Sequence, residues 1–416
     1  MNPRRPASSL PLGDGEAVGA QYEKWVYPLP VPDLNAPEQR SVRDRADPER
    51  NQLLYWPDGS YRDDFDILVA GCGSNAAARY AFHYPNANVV GVDLSRASLD
   101  HERYLQNEHG LGNLTLHQLR LEEIASLGQE FDFIDCCGVL HHLPDPLSGL
   151  RALGGVLRTD GVIAIMLYGR YGRAGIYMVQ DLLRRLGLGQ SEEDVATAKQ
   201  VIGSMPERHP IHDSLARTRD VEYDAGLVDT FLHPIDRSYT ADDCVALVRE
   251  AGLVFQGWWD NVVRYAEGQL HPQHPVYPLV NALPDEEIWP LMELYNGQIG
   301  QHTFCACLPS RPTGSYRIDF DGDAFLDYVP VLRSKEVGPV PDAPGSILVQ
   351  RGRLPAYPLS PDASSLYRQI DGLRSIRECF GAARISGDME SVCRDAFRYL
   401  WRLSYVVLRL PTAAAR

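Results

Sequence analysis

The 416-residue sequence has little of what would carry it into a membrane. No stretch reaches the roughly 18 to 20 uninterrupted apolar residues that a span requires. Met1 to Ala17, broken by Pro3, Pro6, Pro11 and Gly13, lacks the continuous apolar centre of an export signal. Basic residues are also scarce: 40 Lys+Arg stand against 55 Asp+Glu, a net charge of −15. That balance opposes broad contact with a phosphate backbone or an anionic lipid surface, so nucleic acid is a disfavoured substrate and a cytoplasmic protein is expected. The eight cysteines form no framework. Cys136 and Cys137 are adjacent and Cys305 and Cys307 are separated by one residue, neither of which is the spacing of structural zinc. Reduced thiols and no metal site are expected. Internal repeats and low-complexity tracts are absent as well.

What is present is length enough for two or three units. Residues 1–65, rich in proline and aromatics, read as an N-terminal cap or arm. The pattern changes at Asp66. Ile67-Leu68-Val69-Ala70 is a short apolar run stopped by glycine, as in a buried parallel strand. A helix follows over Asn75 to His83, then a second run, Val89-Val90-Gly91-Val92, that ends at Asp93. The alternation continues with a helix from Ser95 to Glu108, strands at Leu114–Leu116 and Phe131–Cys137, a helix from Pro144 to Leu157 and a strand from Gly161 to Tyr168. Thr240-x-x-Asp243 opens another helix, and strands at Leu253–Trp259 and His302–Leu308 complete a mostly parallel sheet with helices on both faces. Two insertions, 169–238 and 260–301, follow strand ends, where lids and pocket walls are commonly placed. Residues 309–315 read as a linker. In 316–416, helix starts at Pro361 and Ser375, a helix over Ser391–Leu403 and a strand at Tyr405–Leu408 suggest a small winged-helix-like α+β domain.

The strongest chemical signal is Gly71-Cys72-Gly73-Ser74-Asn75-Ala76, between a strand and a helix. Glycines there let a ligand approach the backbone, and the amides at the helix start can hold an anionic group. Asp93 ends the next strand about twenty residues on, where a carboxylate can accept both hydroxyls of a ribose. Gly-x-Gly-x-x-Ala also satisfies the dinucleotide fingerprint, so this pair indicates a nucleoside without choosing between cofactors.

The choice comes from Asp132-Phe133-Ile134-Asp135-Cys136-Cys137-Gly138-Val139-Leu140-His141-His142-Leu143-Pro144-Asp145-Pro146. This segment resembles the end of strand four in class I, Rossmann-like methyltransferases dependent on S-adenosylmethionine (SAM). The resemblance implies that Gly71, Cys72, Gly73 and Asn75 border the methionine portion of SAM and that Asp93 and Leu94 bind its ribose. It also implies that Cys137, Gly138, Val139 and His141 face the methyl group. Asn75 stands where the family has its third glycine, and Arg120, Leu121 and Glu122 occupy the adenine-side slot in place of the usual acid. Tyr22 to Pro28, Leu167 to Arg170 and Phe231-Leu232-His233-Pro234 look like a bacterial group of such enzymes with mostly undefined substrates. Ile370 to Ile376 resembles PqqD-like winged-helix modules, which hold leader peptides.

Methyl transfer needs orientation and, for a hydroxyl or amine acceptor, one base. His141, His142, Tyr168 and His233 are the candidates at the acceptor side; the alternative is that His141 shapes the pocket and His142 bonds a neighbouring loop. Tyr22 and Tyr27 either close over the cofactor or staple the arm to the core. Asp236, Arg237 and Tyr239 form a carboxylate clamp or an interior ion pair. Trp258 and Trp259 are expected on opposite sides, one buried and one partly exposed. Arg170, Arg173, Arg184 and Arg185 attract an anionic acceptor or form a solvated face. The reading is a SAM-dependent methyltransferase acting at O or N of a small molecule or peptide, with a homodimer through the C-terminal domain in view. Two alternatives stay open: an NAD(P)-dependent oxidoreductase, and a non-catalytic nucleoside-binding scaffold whose C-terminal module grips a peptide.

Overall fold

The computed structural model describes residues 14–218 and 220–411. The first 13 residues, part of the expected arm and of the segment read as lacking an export signal, lie outside them. The chain enters through helix α1 (Asp14–Lys24) and a short α2 (Gln52–Tyr55) before strand β1 (Asp66–Ala70). Then come α3 (Ala76–His83), β2 (Asn88–Asp93), α4 (Arg96–His109), β3 (Leu114–Gln118), β4 (Phe131–Cys137), α5 (Pro146–Gly154) and β5 (Leu157–Tyr168). The first insertion is helical: α6 (Ala174–Arg185), α7 (Glu192–Gly203), α8 (Ile211–Leu215) and α9 (Asp224–Phe231). After α10 (Ala241–Glu250) and β6 (Val254–Trp258), the second insertion carries α11 (Tyr277–Asn281) and α12 (Asp285–Asn296) and returns through β7 (Gln301–Cys307).

These strands form one seven-stranded sheet in the order β3-β2-β1-β4-β5-β7-β6. It is parallel from β3 to β5, and β7 runs antiparallel to both of its neighbours. Side chains alternate between its faces. Leu68, Val90, Ile134 and Ile163 pack on one side with α5 and α10, while Ile67, Val69, Val89 and Phe133 pack on the other with α3, α4 and the arm residues Tyr55 and Trp56. Both adjacent tryptophans are buried, Trp258 in the first layer and Trp259 in the second, so neither is the exposed partner expected. The helix expected over 144–157 is shorter: Asp145 caps it ahead of Pro146, and the paired glycines 154 and 155 end it, releasing Leu157 to start β5. Thr240 and Asp243 form a reciprocal capping box on α10.

Beyond the sheet lie β8 (Val329–Leu332), β9 (Lys335–Pro339), β10 (Ile347–Gln350), β11 (Tyr357–Pro358), α13 (Pro361–Tyr367), α14 (Ile376–Ala383), α15 (Met389–Arg402) and β12 (Val406–Arg409). The last strand returns to pair antiparallel with β8, and β9, β10 and β11 form a separate sheet. The three helices and these strands bury a common core that also takes Val262 from the second insertion. Arg402, largely buried, reaches across to Glu267 at 2.9 Å, Asn281 at 2.9 Å and Asp285 at 3.1 Å. Most of the second insertion therefore seats the C-terminal unit.

One long-range cap fixes the start of α3. Asn75 makes no side-chain cap there. Glu102, fully buried on α4, instead accepts the amides of Ala77 at 2.9 Å and Ala78 at 2.8 Å, satisfying donors that the first turn cannot pair internally. Glu102→Ala leaves both amides unpaired and is expected to cost on the order of 3 kcal/mol in urea denaturation; an unchanged midpoint would contradict the cap.

Candidate functional site

The C-terminal edge of the parallel strands opens into a cavity of about 1030 Å³. Its floor is the glycine loop. Gly71 and Gly73 adopt left-handed φ of 73° and 57°. A Cβ on Gly71 would lie 2.5 Å from a Val139 methyl, and one on Gly73 would lie 2.8 Å from Pro28. Glycine is therefore required twice, once against the end of β4 and once against the N-terminal arm.

Asp93 ties the loop to the next strand. Its Oδ2 accepts the Gly73 amide at 2.8 Å and its Oδ1 the Ser95 amide at 2.9 Å. Burial pushes its carboxyl upward, and these amides pull it back. Each oxygen keeps a further lone pair for a ligand hydroxyl. Leu94 lies beside it on the cavity wall. A smaller cavity opens from Asp93 between Leu94, Arg120, Leu121, Glu122 and Val139. Helix α1 covers this end through Gly15 and Val18, and the Ser95 hydroxyl donates to the Tyr22 carbonyl at 3.1 Å.

Of the residues nominated from the sequence, Tyr22, Gly71, Cys72, Gly73, Asn75, Asp93, Leu94, Cys137, Gly138, Val139, His142 and Tyr168 line the main cavity. His141 does not. It is fully buried with neither ring nitrogen hydrogen-bonded, its rings packed between His142 at 4.2 Å and Tyr168 at 4.0 Å, and burial holds it well below the usual histidine pKa. It is a neutral packing residue. His233 sits behind the wall, stacked on His142 at 3.8 Å. Arg173 lies over the Tyr168 ring at 3.5 Å and lines the cavity, whereas Arg184 and Arg185 are exposed and pair with Asp181. Asp236 faces Arg173 and Gln180, and Arg237 donates to the Pro144 carbonyl at 2.8 Å, so this group ties the returning segment to the sheet.

Ligand atoms of His142, Asp229 and His233 lie within 4.8 Å of one another, close enough to hold a metal. Their hydrogen bonds assign them another arrangement. His142 Nδ1 faces the Ile235 carbonyl at 2.7 Å and must donate, so in the neutral ring the lone pair lies on Nε2. His233 Nδ1 accepts the Ile235 amide at 3.1 Å, which puts its hydrogen on Nε2, 3.4 Å from the Tyr22 hydroxyl. Tyr22 in turn donates to Asp229 at 2.8 Å, and burial holds the pKa of both Tyr22 and Asp229 up. One imidazole lone pair remains, on the histidine that lines the cavity. Asp229, Asp220, Tyr27, Tyr223 and Arg173 line the same cavity. The second insertion reaches the cavity only near its end, at Gln298, Gly300 and Gln301.

The donor set fits SAM: a glycine loop open to close approach, a carboxylate for the ribose, and a further buried carboxylate, Asp135, with one oxygen unpartnered. Comparison with known proteins agrees. Residues 68–163 match the methyltransferase domain family. The chain is 30% identical over 272 residues to an uncharacterised Synechococcus protein, covering 61% of this chain and 62% of that one. It is also 30% identical over 133 residues to the ubiquinone biosynthesis O-methyltransferase of Haemophilus ducreyi, covering 30% and 56%. The chain thus spans roughly three fifths of the length of these curated relatives. The structure of PKMT2 from Rickettsia typhi in complex with AdoHcy superposes with a TM-score of 0.61 at 14% identity, over 88% of this chain and 75% of that one, a likeness of fold. Residues 68–163 thus carry the methyltransferase-domain match, on a sheet whose fold is that of the Rickettsia structure. Among the described residues, no helix is long and apolar enough to cross a membrane.

Asp93→Ala strips the acceptor from two amides at once. Without ligand it is expected to lower stability by about 2 to 3 kcal/mol in urea denaturation. No change in midpoint would contradict the loop-tying role.

Proposed function

We propose that the whole chain is a SAM-dependent methyltransferase that methylates an oxygen or nitrogen atom of a small molecule or peptide, with His142 as the base. The observation that carries this is one cavity joining the Gly71–Asn75 loop, Asp93 and the Nε2 of His142. When bound, SAM supplies a methyl carbon that leaves its sulfur, which keeps the bonding pair, and joins the acceptor atom.

The chain's own residues do the rest. Asp93 and Leu94 hold the nucleoside, and the glycine loop borders the methionine portion. Nε2 of His142 takes the acceptor's proton, while the Nδ1–H bond to Ile235 fixes the tautomer and His233 packs against the ring. Helix α1 and the first insertion exclude water, held to each other by Tyr22 and Asp229. An oxygen acceptor is supported by the names of two curated relatives, both ubiquinone biosynthesis O-methyltransferases.

The C-terminal unit, with three helices closed by the β8–β12 pair, supports a winged-helix-like, PqqD-like reading in which it holds a peptide or a second copy. Light scattering reads the latter: twice 46.4 kDa for a dimer, 46.4 kDa against it. A cytoplasmic location belongs to the same proposal.

His142→Gln should lower the methylation rate constant by roughly 10²- to 10⁴-fold with SAM affinity unchanged. Equal turnover on an acceptor found with labelled SAM would remove His142 from the reaction.

A further inference from the structure

We propose that Asp135 is the residue that receives the α-ammonium of the cofactor's amino-acid end. This rests on the SAM reading of the cavity and assigns a residue to a part of the ligand that the glycine loop and Asp93 leave without a charged partner.

Asp93 fixes the nucleoside beside β2, so the amino-acid end extends the other way, over β1 and β4. On that side β1 offers no acid: Ile67 and Val69, which share a face, are both apolar. Asp135 is in register with Val69 on the neighbouring strand and points to the same face, as Phe133 does two residues earlier. It lines the cavity together with Gly71, Gly73 and Cys137.

The surroundings of Asp135 are those of an acid missing a cation. It is 6% exposed in a strand whose other residues are Phe131, Phe133, Ile134, the Cys136–Cys137 pair and Asp132, which is paired with Arg158. The Tyr80 hydroxyl donates to Oδ2 at 2.8 Å; the Cys137 amide and its weakly donating thiol lie beside the carboxylate, and Oδ1 makes no hydrogen bond of good geometry. Among the described residues no arginine or lysine pairs with it. The cation across the cavity, Arg79, is taken up by Asp44 at 3.0 Å and by the Asn75 side-chain oxygen at 3.0 Å. A buried carboxylate is unfavourable unless it is paired. Here the fold supplies half of the pairing, and a primary ammonium with three donors supplies the rest. The sulfonium is the other positive charge in the ligand, and the test must tell the two apart.

Isothermal titration of the full chain and of Asp135→Asn with three probes does so. S-adenosylhomocysteine keeps the ammonium without the sulfonium, SAM carries both, and 5′-methylthioadenosine carries neither. Asn keeps the shape and the acceptor for Tyr80. The expected result is a loss of roughly 10- to 100-fold in affinity for both SAM and S-adenosylhomocysteine, with 5′-methylthioadenosine bound as by the wild type. The last probe also reports that the variant is folded. Loss confined to SAM would mean that Asp135 faces the sulfonium. Equal loss of all three would make its role structural, and no loss would leave it without a role; each of these overturns the proposal. Failure of the wild type to bind SAM or S-adenosylhomocysteine would instead bring down the underlying reading, and this inference with it.

Discussion

The carboxylate of Asp93 is the constraint on which the site hangs. Among the described residues it has no cation beside it, and it is held by backbone amides from two segments, the glycine loop after β1 and the start of α4 after β2. Because both segments end on one buried group, the loop cannot move away from the ribose side without breaking charge-assisted hydrogen bonds. Glu102 does the equivalent work one layer below, gripping the first turn of α3 from α4. The two acids, both on or beside α4, make the open edge of the sheet a fixed platform.

The walls above that platform come from distant parts of the chain. The arm enters through α1 and passes over Asp93, and its Tyr22 hydroxyl meets Asp229 of the first insertion. The first insertion has a core of its own, from Ile176 to Phe231, and Trp25 of the arm packs against it. The second insertion plays a different part. Arg402 and Val262 join it to the C-terminal unit, with the ion pairs buried enough that removing one partner would strand the other.

What could be read in advance follows from how local each signal is. The glycine loop, Asp93 and the strand-four end are contiguous motifs, and strand and helix positions followed from short apolar runs and capping residues. The C-terminal helix starts at Pro361 and Ser375 were legible for the same reason, since Ser360 and Ser375 cap their own helices. Asp135 and Asp229 were not singled out. Each is an acid within an apolar stretch, Phe131–Cys137 and Leu227–Phe231, and a buried charge in such a run is itself a signal. What that signal cannot supply is the partner, because Tyr80 and Tyr22 lie 55 and 207 residues away. Likewise two adjacent histidines gave no basis for telling them apart; the loop carbonyl of Ile235, brought in by the first insertion, bonds His142.

Parallel isothermal titration of the full chain with S-adenosylhomocysteine and with NADH tests the central claim, that this cavity is built for the cofactor of methyl transfer. Micromolar binding of S-adenosylhomocysteine with no heat from NADH is the result expected. Binding of NADH in its place would contradict it and return the glycine loop to dinucleotide chemistry.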